Sequence, residues 1–123
     1  MQIYLLIACD RLEESQEKNL IKNLPELQAA LQSYVDEGSA FDATMINDCE
    51  SEYPEDWQLG LTQTVKKGNQ LKFPINLFTE LANKFKIDCE IGEMKKDKRD
   101  PVSYFGHSEG KGDAFRIAQY LDL

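Results

Sequence analysis

The chain begins with an apolar run that constrains its fold more than any other segment. Residues 2–9 (QIYLLIAC) are aliphatic and β-branched, with no polar alternation. A strand with this pattern is usually buried on both faces, whereas a half-exposed strand alternates apolar and polar residues. The run therefore predicts a central strand of a sheet.

Three further segments have apolar residues at three- and four-residue steps, the spacing of an amphipathic helix. The first extends from Leu12 to Val35 and contains Pro25, which either kinks one helix or separates two shorter ones. The second begins near Pro74, since proline is favoured in a first helical turn. The third follows Asp113, which can cap it.

The third predicted helix carries two large apolar residues that we assign to the core. Phe115 and Leu121 are expected to be buried there rather than to form an interface. If Phe115 is fully buried, Phe115→Ala should cost about 3–5 kcal/mol of stability.

Four segments predict the remaining strands. Residues 40–46 and 58–66 alternate apolar and polar side chains, as do residues 86–94. A charged turn over residues 95–100 leads to an apolar segment at 102–105. The last two segments predict an antiparallel hairpin with a loop slightly longer than usual.

These elements follow one another in the order β-α-β-β-α-β-β-α. The order predicts an α+β fold, in which a mixed, mostly antiparallel sheet of about five strands carries three helices largely on one face. With 123 residues the chain has the length of one domain, so we predict a single domain over residues 1–123.

Charge is divided unevenly along the chain. Residues 1–65 hold 13 acids and 3 bases, a net charge of −10, whereas residues 66–123 hold 9 acids and 11 bases, a net charge of +2. One-sided negative charge repels nucleic acid and attracts cationic partners. Nucleic-acid binding, which depends on Lys and Arg contacts to phosphate, is therefore not expected.

The negative charge is concentrated in one connection between predicted strands. No Lys or Arg occurs between Lys22 and Lys66, and five carboxylates fall within residues 48–56. Aromatic residues beside them offer a partner an apolar contact. We predict a partner-binding surface formed by Asp48, Glu50, Glu52, Tyr53, Glu55, Asp56 and Trp57.

Two features of this connection bear on its chemistry. Trp57 either anchors a partner or packs inward as the first residue of the next strand. The alternating oxygens from Asp48 onward superficially resemble a calcium loop, but Tyr53 and Leu59 occupy the positions where such a loop needs Gly and Glu. We therefore expect no metal and no cofactor.

A glycine-rich loop from Gly106 to Asp113 supports an alternative function. It does not fit the phosphate-loop pattern, because three residues rather than four separate its first glycines and Gly112 follows Lys111. Amide groups at the start of the next helix could still bind an anion. The alternative is thus a small-anion or nucleotide-binding regulatory domain that uses this loop.

A second alternative is a small hydrolase centred on His107, the only histidine in the chain. The neighbouring Ser108 and Glu109 do not complete a catalytic relay, because adjacent residues on an extended chain point to opposite faces. We therefore expect a protein that is not an enzyme.

The three cysteines and the hydropathy of the chain indicate a cellular location. Cys9, Cys49 and Cys89 are odd in number and form no CxxC pair, so we expect free, apolar thiols. No apolar run approaches the roughly 18–20 residues that span a bilayer, and the first residues lack the basic segment of a signal peptide. The cytoplasm is the expected location.

The C-terminal stretch from Tyr104 to Gly110, together with residues 113–115 and 117–121, resembles the endings of bacterial immunity proteins. These proteins are the cognate inhibitors encoded beside polymorphic toxins, including those of contact-dependent growth inhibition systems. Small size, acidic charge and the absence of a catalytic constellation are also similar to that family. The resemblance covers residues 104–121 only.

The resemblance implies a specific function. A protein of this family binds one cognate toxin C-terminal domain in a one-to-one complex. The toxin is frequently a basic nuclease, and the inhibitor blocks its active site or its substrate groove. The acidic surface predicted above would then mimic the phosphates that the toxin normally binds.

Overall fold

The computed structural model describes residues 1–37 and 42–123. Within them lies one five-stranded sheet in the order β2-β3-β1-β4-β5, with every neighbouring pair antiparallel. The strands are β1 (Gln2–Ile7), β2 (Thr44–Asp48), β3 (Gln58–Thr64), β4 (Asp88–Lys95) and β5 (Lys98–Gly106). The helices are α1 (Glu14–Asp36), α2 (Lys72–Phe85) and α3 (Ala114–Tyr120). The predicted α+β class and element order are confirmed.

Strand β1 is the middle strand of the sheet, as its unbroken apolar run predicts. Ile3, Leu5 and Ile7 belong to the main hydrophobic cluster. Tyr4 and Leu6 point to the opposite face, because side chains alternate along a strand, yet they are buried as well. Both faces of this strand are therefore covered.

Helices α1 and α2 cover the face that carries the main cluster. From α1, the Tyr34 hydroxyl donates a hydrogen bond to Gln63 Oε1 of β3 at 2.8 Å, and Gln28 Nε2 donates to Asn47 Oδ1 of β2 at 3.0 Å. From α2, Phe78 is fully buried in the same cluster as Cys89 of β4. Burying a side chain the size of Phe contributes about 1.5–3 kcal/mol, so each fully buried side chain of this layer adds substantially to stability.

Helix α1 continues through Pro25 as one α-helix, so the alternative of two shorter helices is wrong. Proline has no N–H, so the carbonyl of Ile21 loses its helical partner. Leu20 on one side of the proline and Leu27 and Leu31 on the other are at most 1% exposed. Packing on both sides of Pro25 holds the helix together across the missing bond.

Two strand boundaries differ from those predicted. Strand β2 begins at Thr44, and residues 40 and 41 of the predicted strand lie outside the described residues. Strand β5 begins at Lys98, so the predicted charged turn over residues 95–100 is too long. Only Lys96 and Asp97 form the turn, with φ of 48° and 67°, as in the two-residue hairpin turns that suit the twist of a sheet.

The prediction that Phe115 is buried is wrong. Its side chain is 74% exposed, whereas Ile117, Ala118 and Leu121 of the same region are buried. Successive helical residues are rotated by about 100°, so Phe115 is directed well away from Ile117 and Leu121, and this short helix buries the side that carries those two residues. The prediction for Leu121 is confirmed.

Candidate partner-binding surface and adjoining cleft

Three connections meet at one end of the sheet. Because β1 is antiparallel to both of its neighbours, its last residues lie beside the first residues of β3 and β4. The connection after β1, the connection before β3 and the connection after β5 therefore share this end. The sequence-predicted surface lies in the second of them.

We call residues 48–57 the acidic segment. It begins at Asp48, the last residue of edge strand β2, which pairs with Gln58 of β3. Pro54–Asp56 form a short 3-10 helix. All five carboxylates are exposed, namely those of Asp48, Glu50, Glu52, Glu55 and Asp56. The structure thus brings the predicted acidic residues together on one surface.

Internal hydrogen bonds hold the acidic segment in one conformation. The Trp57 indole Nε1 donates to the Ser51 carbonyl oxygen at 2.7 Å. The Tyr53 N–H donates to Ser51 Oγ at 3.1 Å, and the Asp56 N–H donates to the Tyr53 carbonyl at 3.0 Å. The carboxylates are therefore presented on a folded loop.

The two aromatic residues of the segment have different positions. Trp57 is 8% exposed and belongs to the main hydrophobic cluster, so of the two alternatives it packs inward. It is not available as an exposed anchor for a partner, because its ring packs in the core just before β3 and its indole N–H is bonded to Ser51. Tyr53 is 58% exposed and is the aromatic side chain that the segment offers to a partner.

The acidic segment has no basic side chain to balance it. The salt bridges found among residues 1–37 and 42–123 join Lys18 to Glu14, Lys84 to Glu26 and Lys95 to Asp100, all outside the segment. Carboxylates this close repel one another, and a cationic partner would relieve that repulsion.

A cleft of about 800 Å³ adjoins the acidic segment at this end of the sheet. We call it the sheet cleft. Its lining extends from Gln16 of α1 to Glu90 and Tyr104, whose side chains lie on the sheet face that does not carry the main cluster. Its lining includes the ends of β1 and β3, the inner strand β4 and the loop after β5. The carboxylates that line it are those of Asp10, Glu55, Asp88, Glu90 and Glu109, and the guanidinium groups are those of Arg11 and Arg99. Glu55 belongs to both the cleft and the acidic segment.

Tyr4 and Glu90 lie side by side at the sheet cleft. The Tyr4 hydroxyl donates to Glu90 Oε2 at 2.6 Å. The Arg99 guanidinium lies 5.8 Å from the centre of the Tyr4 ring and donates to Gln58 Oε1, so it reaches from edge strand β5 to β3. Burial and then the Glu90 carboxylate raise the pKa of Tyr4 well above its usual value, so this hydroxyl stays protonated and acts as a donor.

The loop from Gly106 to Asp113 uses its amide groups internally. The N–H groups of Ser108 and Glu109 donate to Asp88 Oδ1 at 2.9 and 3.1 Å, and the Ser108 hydroxyl donates to Asp88 Oδ2. Burial opposes ionisation of Asp88, but these hydrogen bonds and the nearby His107 lower its pKa below the ordinary value. An external anion at Ser108 and Glu109 would compete with this carboxylate.

The candidate catalytic residues are not brought into a relay. His107 is exposed, and its backbone N–H donates to the Ile87 carbonyl at 3.0 Å. The Ser108 hydroxyl is bonded to Asp88 rather than to the imidazole.

Asp113 accepts from the Arg116 N–H at 3.2 Å and so caps α3, as predicted.

The cysteines are free thiols, as expected from their number and spacing. Cys9 and Cys89 are buried, and Cys49 is half-buried. Burial raises the pKa of Cys9 to about 12, and it raises those of Cys49 and Cys89 as well. Among the described residues, His, Cys, Asp and Glu form no group of three that could hold a metal, and no helix is long and apolar enough to cross a membrane.

The sheet cleft was missed from the sequence. Glu90 was recognised only as the polar half of an alternating strand, and Tyr4 only as part of an apolar run. The signal was weak, because nothing in an unbroken apolar run shows which residues share a face with Glu90. The three-dimensional register of β1 on β4 supplies that information.

The fold and these surfaces define a small α+β protein with an acidic segment beside a negatively charged cleft. No family model, no curated protein and no solved structure matches the chain.

Proposed function

We propose that the protein is an immunity protein, which neutralises the C-terminal domain of a cognate toxin by binding it one-to-one. The observation that carries the proposal is the acidic segment. Its five carboxylates are exposed, are held on a hydrogen-bonded loop, and form no salt bridge within the described part of the chain. We place this binding in the cytoplasm.

The geometry of the acidic segment suits rapid and specific binding of a basic protein. A one-signed surface steers a cationic partner, and association can approach ~10⁸ M⁻¹s⁻¹ at low salt. A loop already held by Trp57 and Ser51 loses little conformational freedom on binding. Tyr53 supplies the apolar contact that a cluster of charges lacks.

The chemistry of the segment also favours a particular class of toxin. A nuclease binds the phosphates of its substrate with Lys and Arg side chains. Exposed carboxylates on a folded loop present negative charge to the same side chains. The toxin is therefore proposed to be a basic nuclease, whose substrate groove the acidic segment covers.

The proposal is tested by titrating the protein with the toxin-like domain encoded by the adjacent upstream gene, at low and high salt, alongside a cell-protection assay. The loop variant changes Glu50, Glu52, Glu55 and Asp56 to Gln or Asn. The control variant makes the same change of net charge on α1 and just beyond it, at Glu14, Glu26, Asp36 and Glu37, which are also exposed.

We expect the loop variant to bind at least about 100-fold more weakly and the control variant to lose only a few-fold, because close charge pairs contribute far more than distant charges. Equal weakening in the two variants would mean that net charge alone acts. Unchanged binding and protection by the loop variant would refute the role of the acidic segment.

The sequence also predicts an alternative function, which is anion or nucleotide binding at the loop from Gly106 to Asp113. NMR titrations of the same protein distinguish it from toxin binding. Amide signals of Ser108 and Glu109 that shift on adding nucleotide, without any response to a basic protein, would support it. Because Asp88 already accepts from both amides, Asp88→Asn should increase such binding.

A further inference from the structure

The position of Glu90 calls for an explanation beyond the fold. Glu90 lies on β4, an inner strand between β1 and β5, and its side chain is only partly exposed. It accepts a hydrogen bond from Tyr4, but none of the salt bridges among the described residues involves it. Removing a carboxylate from water without a cationic partner is costly, so such a group is a candidate for binding.

The hydrogen-bonding capacity of Glu90 is also incompletely used. A carboxylate has about four acceptor positions on its two oxygens. The Tyr4 hydroxyl donates to Oε2. Tyr104 also lies against this carboxylate: burial, and then the charge and hydrogen bonding of Glu90, raise the pKa of Tyr104. The two tyrosine hydroxyls use part of the acceptor capacity of Glu90, and its remaining positions can accept N–H groups from a planar donor.

The remainder of the sheet cleft favours a cation. Five carboxylates and two guanidinium groups line it, which gives a formal charge of −3. One of the two guanidiniums, that of Arg99, is already engaged by the Tyr4 ring and by Gln58. Tyr104 pairs with Glu90 on the neighbouring strand and is 51% exposed, so its ring offers a surface beside the carboxylate.

We propose that the sheet cleft is a receptor for the guanidinium group of an arginine supplied by the protein partner, with Glu90 as its acceptor. Arginine fits better than lysine, because its planar fork matches a carboxylate with two parallel hydrogen bonds and stacks on aromatic rings. The volume of about 800 Å³ accommodates this side chain with part of the segment that carries it.

The cleft and the acidic segment act on the same partner in this scheme. Glu55 borders both, so a basic segment lying across the acidic segment reaches the cleft without a gap. The claim that a protein partner supplies the arginine rests on the proposed function. The claim that the cleft binds a guanidinium group does not rest on it, so the two claims can be tested separately.

The first experiment uses N-acetyl-L-arginine amide as the probe, with N-acetyl-L-citrulline amide as a neutral control of nearly the same shape. We expect the arginine probe, and not the citrulline probe, to shift the NMR signals of Tyr4, Glu90 and Tyr104. Glu90→Gln should weaken the arginine probe at least about 10-fold, as expected when a charged acceptor is lost. Glu80→Gln, which removes the same charge from an exposed position of α2 outside the cleft lining, should leave binding of the arginine probe unchanged.

A second variant protects the test against misfolding. In Glu90→Gln the amide oxygen can still accept a hydrogen bond from the Tyr4 hydroxyl, and the melting temperature of the variant shows whether it is folded. Tyr104→Leu removes the aromatic wall from an exposed edge-strand position and should also weaken the arginine probe. Equal response to arginine and citrulline, or no loss of binding in either variant, would overturn the inference.

The second experiment measures binding of the toxin-like domain to Glu90→Gln. A loss of about 10-fold or more supports insertion of an arginine. If the domain binds the wild type tightly, but neither the probe nor Glu90→Gln has any effect, the inference fails and the proposed function stands. If the probe occupies the cleft but no basic domain binds, the proposed function fails and the guanidinium site stands.

Discussion

The inward packing of Trp57 makes a prediction that separates scaffold from interface. Trp57→Phe keeps an aromatic ring in the core but removes the donor to the Ser51 carbonyl, a bond of 2.7 Å in the structure. A hydrogen bond of this kind contributes about 1 kcal/mol net, and the smaller ring loses core contacts that contribute roughly 1–2 kcal/mol more. We expect Trp57→Phe to cost about 2–3 kcal/mol in the free energy of unfolding.

The assay is denaturant and thermal unfolding followed by circular dichroism, since Trp57 is the only tryptophan and its fluorescence is lost in the variant. For a chain of this size, 2–3 kcal/mol corresponds to a melting temperature lower by roughly 8–12 °C. Hydrogen exchange of the backbone amides in the acidic segment should also be faster in Trp57→Phe, because the hydrogen bond from the indole to Ser51 helps to hold the segment.

Tyr53→Ala is the matched control, because Tyr53 lies in the same segment but is 58% exposed. Its stability should change by no more than about 0.5 kcal/mol, while binding of the toxin-like domain should weaken. The reasoning is refuted if Trp57→Phe unfolds at the wild-type midpoint with wild-type exchange in the segment. It is also refuted if that variant loses partner binding with no loss of stability.

Three further predictions concern the core, a buried amide and a pH dependence. Phe115→Ala should change the free energy of unfolding by no more than about 0.5 kcal/mol, whereas Leu121→Ala should cost about 2–5 kcal/mol, as measured by urea unfolding. Gln63 is fully buried, and its Nε2 has no hydrogen-bond partner among the described residues. The pair of changes Gln63→Leu and Tyr34→Phe should therefore be neutral or stabilising, whereas Tyr34→Phe alone should destabilise. Because the pKa of Asp88 is lowered in the folded state, its ionised carboxylate stabilises the protein above the unfolded pKa of about 3.9. This stability is lost as the pH falls through the folded pKa. Asp88→Asn should remove this part of the acid dependence, as measured by the melting temperature between pH 6 and pH 2.

The sequence predicted the element order because each long element has a clear apolar period. The boundary errors have a common physical origin, which is that pairing and packing extend beyond the periodic residues. Lys98 and Asp100 read as a turn, yet they pair on the exposed edge strand β5, where charged side chains remain in water. Phe115 of α3 and Leu121 just after it are both apolar, and only docking of this short helix decides which of them is buried.

The acidic segment was located from composition alone, because charge concentrated between two predicted strands needs no knowledge of the fold. The direction of Trp57 could not be read in the same way. It stands at the boundary between a polar connection and an alternating strand, so both directions agree with the pattern. The register of Asp48 on Gln58 closes the segment, and the hydrogen bond to Ser51 fixes the indole.

Two sequence predictions taken together point to a face of the sheet that helices leave uncovered. An unbroken apolar strand requires cover on both faces, while the predicted helices were placed largely on one. Something other than a helix must therefore cover Tyr4, and in the structure the Arg99 guanidinium from the edge strand lies over its ring. A face covered by long polar side chains stays accessible to a ligand, whereas a face covered by helices does not. The unbroken run thus points to this face, although it cannot show that Glu90 lies on it.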